Sequence, residues 1–243
     1  MGGVFGVAAK RDCVPDLFYG TDYHSHLGTV RGGMAVRNGQ GFNRLIKDIT
    51  NAQFRGKFED DLGSMRGPIG IGVISDYDDQ PLIIRSHLGT FALVTVGRID
   101  NLEELSAEVF KSPAAHFSEM SGDVVNPTEL TATLINQGAH FAEGIRQAQE
   151  QIEGSCSMLL LTTEGIYAAR DRLGRTPIVL GRKEGAHALT METCAFPNLD
   201  YEIQRYLGPG EIMRVTADDA RAGDEARLLA AALDPLGWEG HQA

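Results

Sequence analysis

Asp22, His24 and His26 alternate along one short segment and are the residues whose types best suit a metal ion. On a β-strand, alternate side chains lie on one face, so this spacing would bring a carboxylate and two imidazoles together. On a helix, residues two positions apart diverge by about 200°. Because residues 14–29 have the apolar spacing of a helix that ends near Gly28, we expect packing and capping roles here. We predict no metal site and no cofactor.

An acidic run at residues 76–79 offers a second candidate for chemistry. Asp76, Asp78 and Asp79 follow the apolar segment 69–74 and flank Tyr77. Paired carboxylates can act in general acid–base catalysis. The alternative is a solvated acidic loop, which is the more ordinary role of such a run and the interpretation that we prefer.

The chain has three cysteines, Cys13, Cys156 and Cys194. An odd number at wide spacing indicates neither a disulfide framework nor a Cys-x-x-Cys metal site. Free cysteine usually packs as a small hydrophobic side chain, and we expect that role for all three.

The elements that must position these residues are mostly short strands separated by turn signals. Apolar runs predict strands at residues 3–9, 33–36, 69–74, 82–86, 91–96, 157–162, 165–169, 177–181, 188–191 and 211–215. Further helices are predicted within 42–60, after an Asn101 N-cap, after Pro127 at the first helical position, and at 140–152. Many strands with hairpin-length connections favour an α+β fold built from antiparallel sheets. We expect one domain at 1–216, followed by an acidic C-terminal helix or tail at 217–243.

The composition limits the classes of partner. The 243 residues carry a formal net charge of -11, and their basic residues form no cluster, so nucleic acid binding is not expected. No apolar run approaches the roughly 18 residues that span a bilayer, and the N-terminus lacks a signal pattern. These features predict a cytoplasmic protein without membrane contact.

Four short motifs follow one another along the chain. They are MGGVFG at residues 1–6, Gly-Ile-Gly at 70–72, IYAARDRLGRTP at 166–177 and Gly-Pro-Gly-Glu-Ile at 208–212. In this order they resemble motifs of class II glutamine amidotransferases, which have the N-terminal nucleophile hydrolase fold. The first resembles the family's Met-Cys-Gly-Ile-Phe-Gly start, and residues 166–177 give the strongest match. The resemblance covers about residues 1–215 and is greatest to the glutaminase domain of amidophosphoribosyltransferases. It implies a four-layer αββα sandwich of two antiparallel sheets, in which Gly174 supplies a turn with positive φ.

The resemblance also implies that the nucleophile is missing. In the family, removal of the methionine leaves an N-terminal cysteine that attacks glutamine, and Gly2 stands at that position. Leu27 replaces an arginine that helps to bind substrate. Ser75 replaces the arginine that holds the glutamine carboxylate, and a hydroxyl cannot reproduce a bidentate guanidinium.

The remaining substrate contacts are altered in the same sense. Val96 stands where the family has the asparagine of the oxyanion hole, and its side chain carries no donor. Gly97 persists, so one backbone N–H could remain. Pro127 replaces the aspartate that binds the glutamine α-amino group. The resemblance therefore implies a vestigial substrate pocket at Leu27, Ser75, Val96, Gly97 and Pro127, with no intact catalytic residue at Gly2.

These losses leave three hypotheses open. The first is a pseudoenzyme that serves as a binding, regulatory or scaffold subunit, with a separate synthase or transferase subunit, or a second copy, as partner. The second is an enzyme with relocated chemistry in the same cleft, which could also bind a small-molecule ligand. The third is a piece of a longer polypeptide, since about thirty residues follow Ile212 and no phosphoribosyltransferase segment is recognised among them.

Overall fold

The computed structural model describes residues 2–111, 117, 120–121 and 124–223. Their strands are, in chain order, β1 (Gly3–Ala9), β2 (Arg31–Asn38), β3 (Gly41–Asp48), β4 (Ile69–Ser75), β5 (Leu82–Ser86), β6 (Gly89–Ile99), β7 (Met120–Ser121), β8 (Val124–Val125), β9 (Gly154–Leu161), β10 (Ile166–Ala169), β11 (Val179–Lys183), β12 (Ala186–Thr190), β13 (Glu202–Tyr206), β14 (Ile212–Val215) and β15 (Ala220–Ala222). The helices are α1 (Val14–Asp22), α2 (Phe54–Phe58), α3 (Leu102–Val109), α4 (Pro127–Ile135), α5 (Phe141–Gln151) and α6 (Ala195–Asn198), with a 3₁₀ helix at Glu59–Ser64.

Two antiparallel sheets form the centre of the fold. The seven-stranded sheet has the order β13-β11-β12-β1-β4-β2-β3, and the six-stranded sheet has the order β15-β14-β10-β9-β6-β5. A separate pair joins β7 and β8. This arrangement confirms the predicted α+β fold.

Three buried clusters define the four layers of the sandwich. Phe5 and Val7 of β1 pack against the phenylalanines of α1, α2 and α6, which cover one face of the seven-stranded sheet. Val4 and Ala8, on the opposite face of β1, pack between the two sheets. A third cluster joins the outer face of the six-stranded sheet to α3, α4 and α5. Alternation along β1 therefore supplies two of the three cores, and the expected αββα sandwich is confirmed.

Some local expectations differ from the structure. Helix α1 ends at Asp22 rather than near Gly28, and residues 23–27 form turns. Asn101 precedes α3 without capping it through its side chain; the amide instead donates to the Gln151 carbonyl and accepts from the Glu153 N–H. Strand β15 lies within the segment expected to form a C-terminal helix or tail, and residues 224–243 of that segment lie outside the described residues.

Candidate functional site

Gly2 and Ser75 lie side by side at the ends of two central strands. The antiparallel pairing of β1 with β4 places Gly3 opposite Ile74, which brings the buried Gly2 next to Ser75. A Cβ built on Gly2 would lie 2.4 Å from the carbonyl oxygen of Ile74 and 3.5 Å from the Cα of Ser75. Because backbone atoms form this wall, no side chain fits at the nucleophile position without a shift of the chain.

Ser75 is buried and its hydroxyl is already engaged. The Oγ accepts hydrogen bonds from the backbone N–H groups of Tyr77 and Asp78, both at 3.2 Å, and so caps the turn that follows β4. Its 8% exposure leaves little surface for a ligand. Ser75 thus stabilises a turn in this structure.

The segment that contains Leu27 packs against the same end of β4. Half-buried Leu27 donates its N–H to the His24 carbonyl at 2.9 Å. A Cβ on Gly28 would lie 2.9 Å from Cγ2 of Ile74, and the Thr29 N–H donates to Asp76 at 2.8 Å. Leu27 therefore directly precedes the residues that contact the end of β4.

Val96, Gly97 and Pro127 come from the other sheet and its helix layer. Val96 is buried in the inter-sheet core, in the same cluster as Val4 and Val73. Gly97 is exposed with φ +144°, and a Cβ there would lie 2.0 Å from the carbonyl oxygen of Ser155. Both the conformation and the contact require glycine at this position.

Pro127 is the first residue of α4, as predicted, and is partly exposed. The Asn126 side chain caps this helix by accepting from the N–H groups of Thr128 and Glu129. The Thr128 hydroxyl lies 2.6 Å from the Thr95 hydroxyl. The Gln80 side-chain amide donates to the Thr95 carbonyl and accepts from the Thr95 N–H. The start of α4 is therefore fixed to β6 beside Val96, by polar contacts that do not involve Pro127.

Asp78 departs from the expected solvated loop. Its carboxyl is half-buried, and desolvation, followed by the charge of Asp79, raises its pKa to about 6. Asp79 is paired with Arg31 at 2.7 Å, whereas Asp78 has no hydrogen bond or ion pair to its carboxyl within the described part of the chain. The sequence showed the acidic run, but it did not show that the Asp78 carboxyl is half-buried.

The Asp22, His24 and His26 side chains make three separate sets of contacts. Asp22 pairs with Arg55 at 2.6 Å, and the exposed His26 pairs with Glu192 at 3.0 Å. The ring of His24 is wholly buried between Gly20 and Thr190. Among the residues that the structure describes, no group of three His, Cys, Asp or Glu side chains could hold a metal ion.

The buried ring of His24 is held in its neutral form. Its Nδ1 lies 2.8 Å from the Gly20 carbonyl and must donate there, and Nε2 accepts from the Glu192 N–H at 3.3 Å. Burial lowers the pKa of His24 below its ordinary value of 6.5, because the charged form is desolvated. Gly3 allows this packing, since a Cβ there would lie 2.7 Å from the ring.

We expect His24 to make the protein less stable as the pH falls below about 6.5. In that range the unfolded chain binds a proton that the folded chain does not, so the free energy of unfolding decreases by up to about 1.4 kcal/mol per pH unit. Urea denaturation between about pH 7.5 and 5.5 measures this slope, which His24→Gln should flatten.

Two features make this comparison specific. Asp78 acts in the opposite sense, because a raised carboxyl pKa costs stability that is regained on acidification through about 6. Parent and His24→Gln share the contribution of Asp78, so subtracting their slopes of unfolding free energy against pH removes it. His26→Gln is the matched control for replacing an imidazole by an amide, since the His26 side chain is 58% exposed. Equal slopes for parent and His24→Gln would contradict the assignment.

None of the three thiols is activated. Burial raises the pKa of Cys13 and brings that of Cys156 to about 12. Cys194 is exposed, yet partial desolvation and nearby Glu192 raise its pKa as well. Since the thiolate is the nucleophile, these groups are poorly suited to covalent catalysis at neutral pH. The expectation of buried, inert thiols holds for Cys13 and Cys156, whereas Cys194 lies at the surface.

Among the described residues, two cavities lie away from the residues that the resemblance singled out. One, of about 690 Å³, lies behind the 25–29 segment and is lined by residues that include His26, Gly28 and Arg55. The other, of about 520 Å³, opens between β11–β13 and β14–β15. Gly2, Ser75, Val96, Gly97 and Pro127 line neither of them.

Comparison with known proteins assigns the family. A model described as "Glutamine amidotransferase domain" matches residues 69–197, more than half of the chain. The chain belongs to the glutamine amidotransferase domain family. The match contains both β4, which ends at Ser75, and residues 166–177, which gave the strongest motif resemblance.

Curated relatives in the glutamine amidotransferase family are amidophosphoribosyltransferases. Those of Methanocaldococcus jannaschii and Bacillus subtilis are each 24% identical to this chain, over 230 and 232 residues. The alignments cover 88% and 90% of this chain but 47% of each relative. The chain therefore spans about half the length of these relatives.

Solved structures agree with the fold. The glutamine phosphoribosylpyrophosphate amidotransferase of B. subtilis superimposes with a TM-score of 0.80 at 23% identity, covering 90% of this chain and 48% of that one. A glutamine aminotransferase class-II domain protein from Silicibacter pomeroyi gives 0.58 at 13% identity, covering 90% and 97%. Within the described residues, no helix is long and apolar enough to cross a membrane.

Proposed function

We propose that this glutamine amidotransferase domain does not hydrolyse glutamine and acts as a binding, regulatory or scaffold subunit. The observation that carries the proposal is Gly2, which supplies no nucleophile and whose missing side chain would contact the Ile74 carbonyl at 2.4 Å. Covalent amide hydrolysis needs a nucleophile with a base beside it. In this structure the Ile74 carbonyl oxygen lies where a side chain at residue 2 would begin.

The surrounding residues support the same conclusion. Ser75 is engaged in a turn, Val96 belongs to the inter-sheet core, and Pro127 offers no charge. Carboxylate clamp, oxyanion donor and ammonium partner are therefore absent together with the nucleophile. Loss of one oxyanion donor alone typically costs a factor of about 100 to 1,000 in rate.

The relatives suggest the kind of partner. Each amidophosphoribosyltransferase has a region outside the matched part, and by analogy with that region we propose a synthase or transferase subunit, or a second copy of this chain, as the partner. The setting would be purine biosynthesis in the cytoplasm. A small molecule other than glutamine remains compatible with the cleft.

A second candidate function is an enzyme with altered chemistry in the same cleft. The half-buried carboxyl of Asp78 favours it, since a pKa of about 6 suits a general base near neutral pH. Asp78 follows Ser75 by three residues, and its N–H is bound to the Ser75 hydroxyl. This candidate requires a substrate whose reaction needs no covalent intermediate at Gly2.

The purified chain should release no ammonia from glutamine above the buffer blank. By comparison with other hydrolases that lose a nucleophile, the rate should fall on the order of 10⁵- to 10⁶-fold below that of an intact relative. A coupled glutamate assay measures it, with the B. subtilis amidophosphoribosyltransferase as the active control. Ammonia release that Asp78→Asn abolishes would contradict the proposal and favour the second candidate.

A further inference from the structure

The cavity between β11–β13 and β14–β15 continues the inter-sheet core to the surface. Leu180 and Leu189 face each other across β11 and β12 and belong to the inter-sheet cluster. Two positions further along each strand, Arg182 faces His187 on the same side of the sheet. The cavity thus has an apolar floor of Leu180 and Met213 and a polar mouth.

Arg182 is the unpaired cation of this mouth. Its guanidinium is exposed and makes no hydrogen bond or ion pair among the residues that the structure describes. The other cation lining the cavity, Arg205, is paired with Glu211. An exposed arginine above an apolar floor presents a planar fork of donors that matches a carboxylate or a phosphate.

The acidic residues at the rim are neutralised by other groups. Asp218 pairs with Lys10 at 2.7 Å, and Asp219 pairs with Arg221. Within residues 2–111 and 124–223, the charge of Arg182 is therefore not cancelled by a direct partner at the mouth. An anion that enters the cavity would meet the Arg182 guanidinium and the carboxylates of Asp218 and Asp219, which are already paired with cations.

His187 supplies a second polar group, buried in the wall of the cavity. It is 5% exposed, and its Nδ1 lies 2.9 Å from the Thr216 carbonyl, to which it must donate. In the neutral ring, this bond selects the tautomer in which Nε2 is an acceptor. Since directly opposed residues on neighbouring strands have Cβ atoms about 4.5–5.5 Å apart, one small ligand can reach both side chains.

We infer that this cavity, with Arg182 and His187 as its polar groups, binds a small organic oxyanion, a carboxylate or phosphate monoester that carries a hydroxyl or amino donor. Arg182 receives the oxyanion, His187 accepts from the donor, and the apolar floor contacts the carbon skeleton. The volume of about 520 Å³ lies within the usual range of ligand pockets, roughly 300–1,000 Å³. This site is separate from the vestigial pocket and does not depend on the proposed function.

Calorimetric titration of the full chain tests the inference with two probes. 3-Hydroxybutyrate represents the carboxylates and glycerol 3-phosphate the phosphate monoesters, each titrated to about 10 mM. We expect saturable binding of at least one probe, with a dissociation constant on the order of 0.1–1 mM. The probe that binds identifies the class of oxyanion.

Two variants assign the contacts. Arg182→Gln should weaken binding about 10- to 100-fold, as expected for loss of a charge-assisted hydrogen bond. His187→Asn retains a donor toward Thr216 but removes Nε2, and should weaken binding about 3- to 10-fold. Arg66→Gln is the matched control, because Arg66 is another exposed arginine without a side-chain partner among the described residues and lies outside this cavity. Absence of saturable binding with both probes, or equal affinity for Arg182→Gln and Arg66→Gln, would overturn the inference.

Discussion

Asp171→Ala is expected to destabilise the protein by about 3–4 kcal/mol, the largest effect of any single change considered in this chain. The Asp171 carboxylate is buried and accepts hydrogen bonds from three backbone N–H groups of one loop, those of Leu173, Arg175 and Thr176. It also accepts from the Ser157 hydroxyl at 3.3 Å. Removing it leaves these donors without acceptors in a region that water reaches poorly.

The neighbouring Arg170 binds the same loop as the Asp171 carboxylate. Its guanidinium donates to the carbonyls of Thr176, Gly174 and Leu207, so Arg170 and Asp171 hold the same turn from opposite sides. The backbone of Asp171 adds two more bonds, because its carbonyl accepts from Gly174 and Gly210. Loss of the carboxylate should therefore loosen both the loop and the start of β14.

Thermal and urea unfolding measure the effect of Asp171→Ala. We expect a Tm about 10 °C lower, from the usual shift of roughly 2–4 °C per kcal/mol in chains of this size. Asp171→Asn should lower the Tm by less than Asp171→Ala does. One side-chain oxygen can still accept hydrogen bonds, whereas the new NH₂ group faces a backbone N–H that it cannot bind. Asp60→Ala, at an exposed position, should change stability by less than about 0.5 kcal/mol. A loss below about 1 kcal/mol for Asp171→Ala would show that water replaces the carboxylate.

Gly2→Cys is expected to restore the family's nucleophile without restoring glutaminase activity. The new Cβ would lie 2.4 Å from the Ile74 carbonyl, and a wall made of backbone yields only if β4 shifts. Overpacking of this kind costs about 1–3 kcal/mol. The thiol would also lack the side chains that position glutamine, since Ser75 and Val96 cannot hold a carboxylate or donate to an oxyanion.

Gly2→Ala separates the steric effect from the chemistry. Both variants should lose similar stability in urea denaturation, and neither should release ammonia from glutamine above the parent chain. Mass spectrometry must first establish that the methionine has been removed, because the mechanism needs the α-amino group of residue 2 as base. Ammonia release by Gly2→Cys well above that of Gly2→Ala would mean that a working glutamine site persists beside Gly2.

The sequence predicted those strands whose apolar runs are buried on both faces. Strands β1, β4 and β9 lie in the interior of the two sheets, and each was recognised from a continuous hydrophobic run. Strand β13 was missed because all five of its residues are exposed at a sheet edge, where no periodic apolar signal is required. The positive φ of Gly174, at +66°, was confirmed, because glycine adopts this backbone conformation readily.

The candidate site was only partly visible in the sequence. The resemblance located Gly2, Ser75 and Val96, and their losses could be read from residue type alone. The closure of Gly2 by the Ile74 carbonyl depends on strand packing, and the withdrawal of Asp78 from water depends on the turn capped by Ser75. Gly2 and Ile74 are distant along the chain, and a local turn capped by Ser75 does not by itself show that the Asp78 carboxyl is half-buried.

The central position of β1 has a consequence for how this domain could have changed during evolution. Its strand neighbours are β12 and β4, and both of its faces are covered by packed side chains. Such a strand is among the last to open in local fluctuations, whereas an exposed edge such as β13 opens early. Because residue 2 precedes the paired residues of β1, a substitution there could change the chemistry at the end of the strand while the packing that holds the strand is retained.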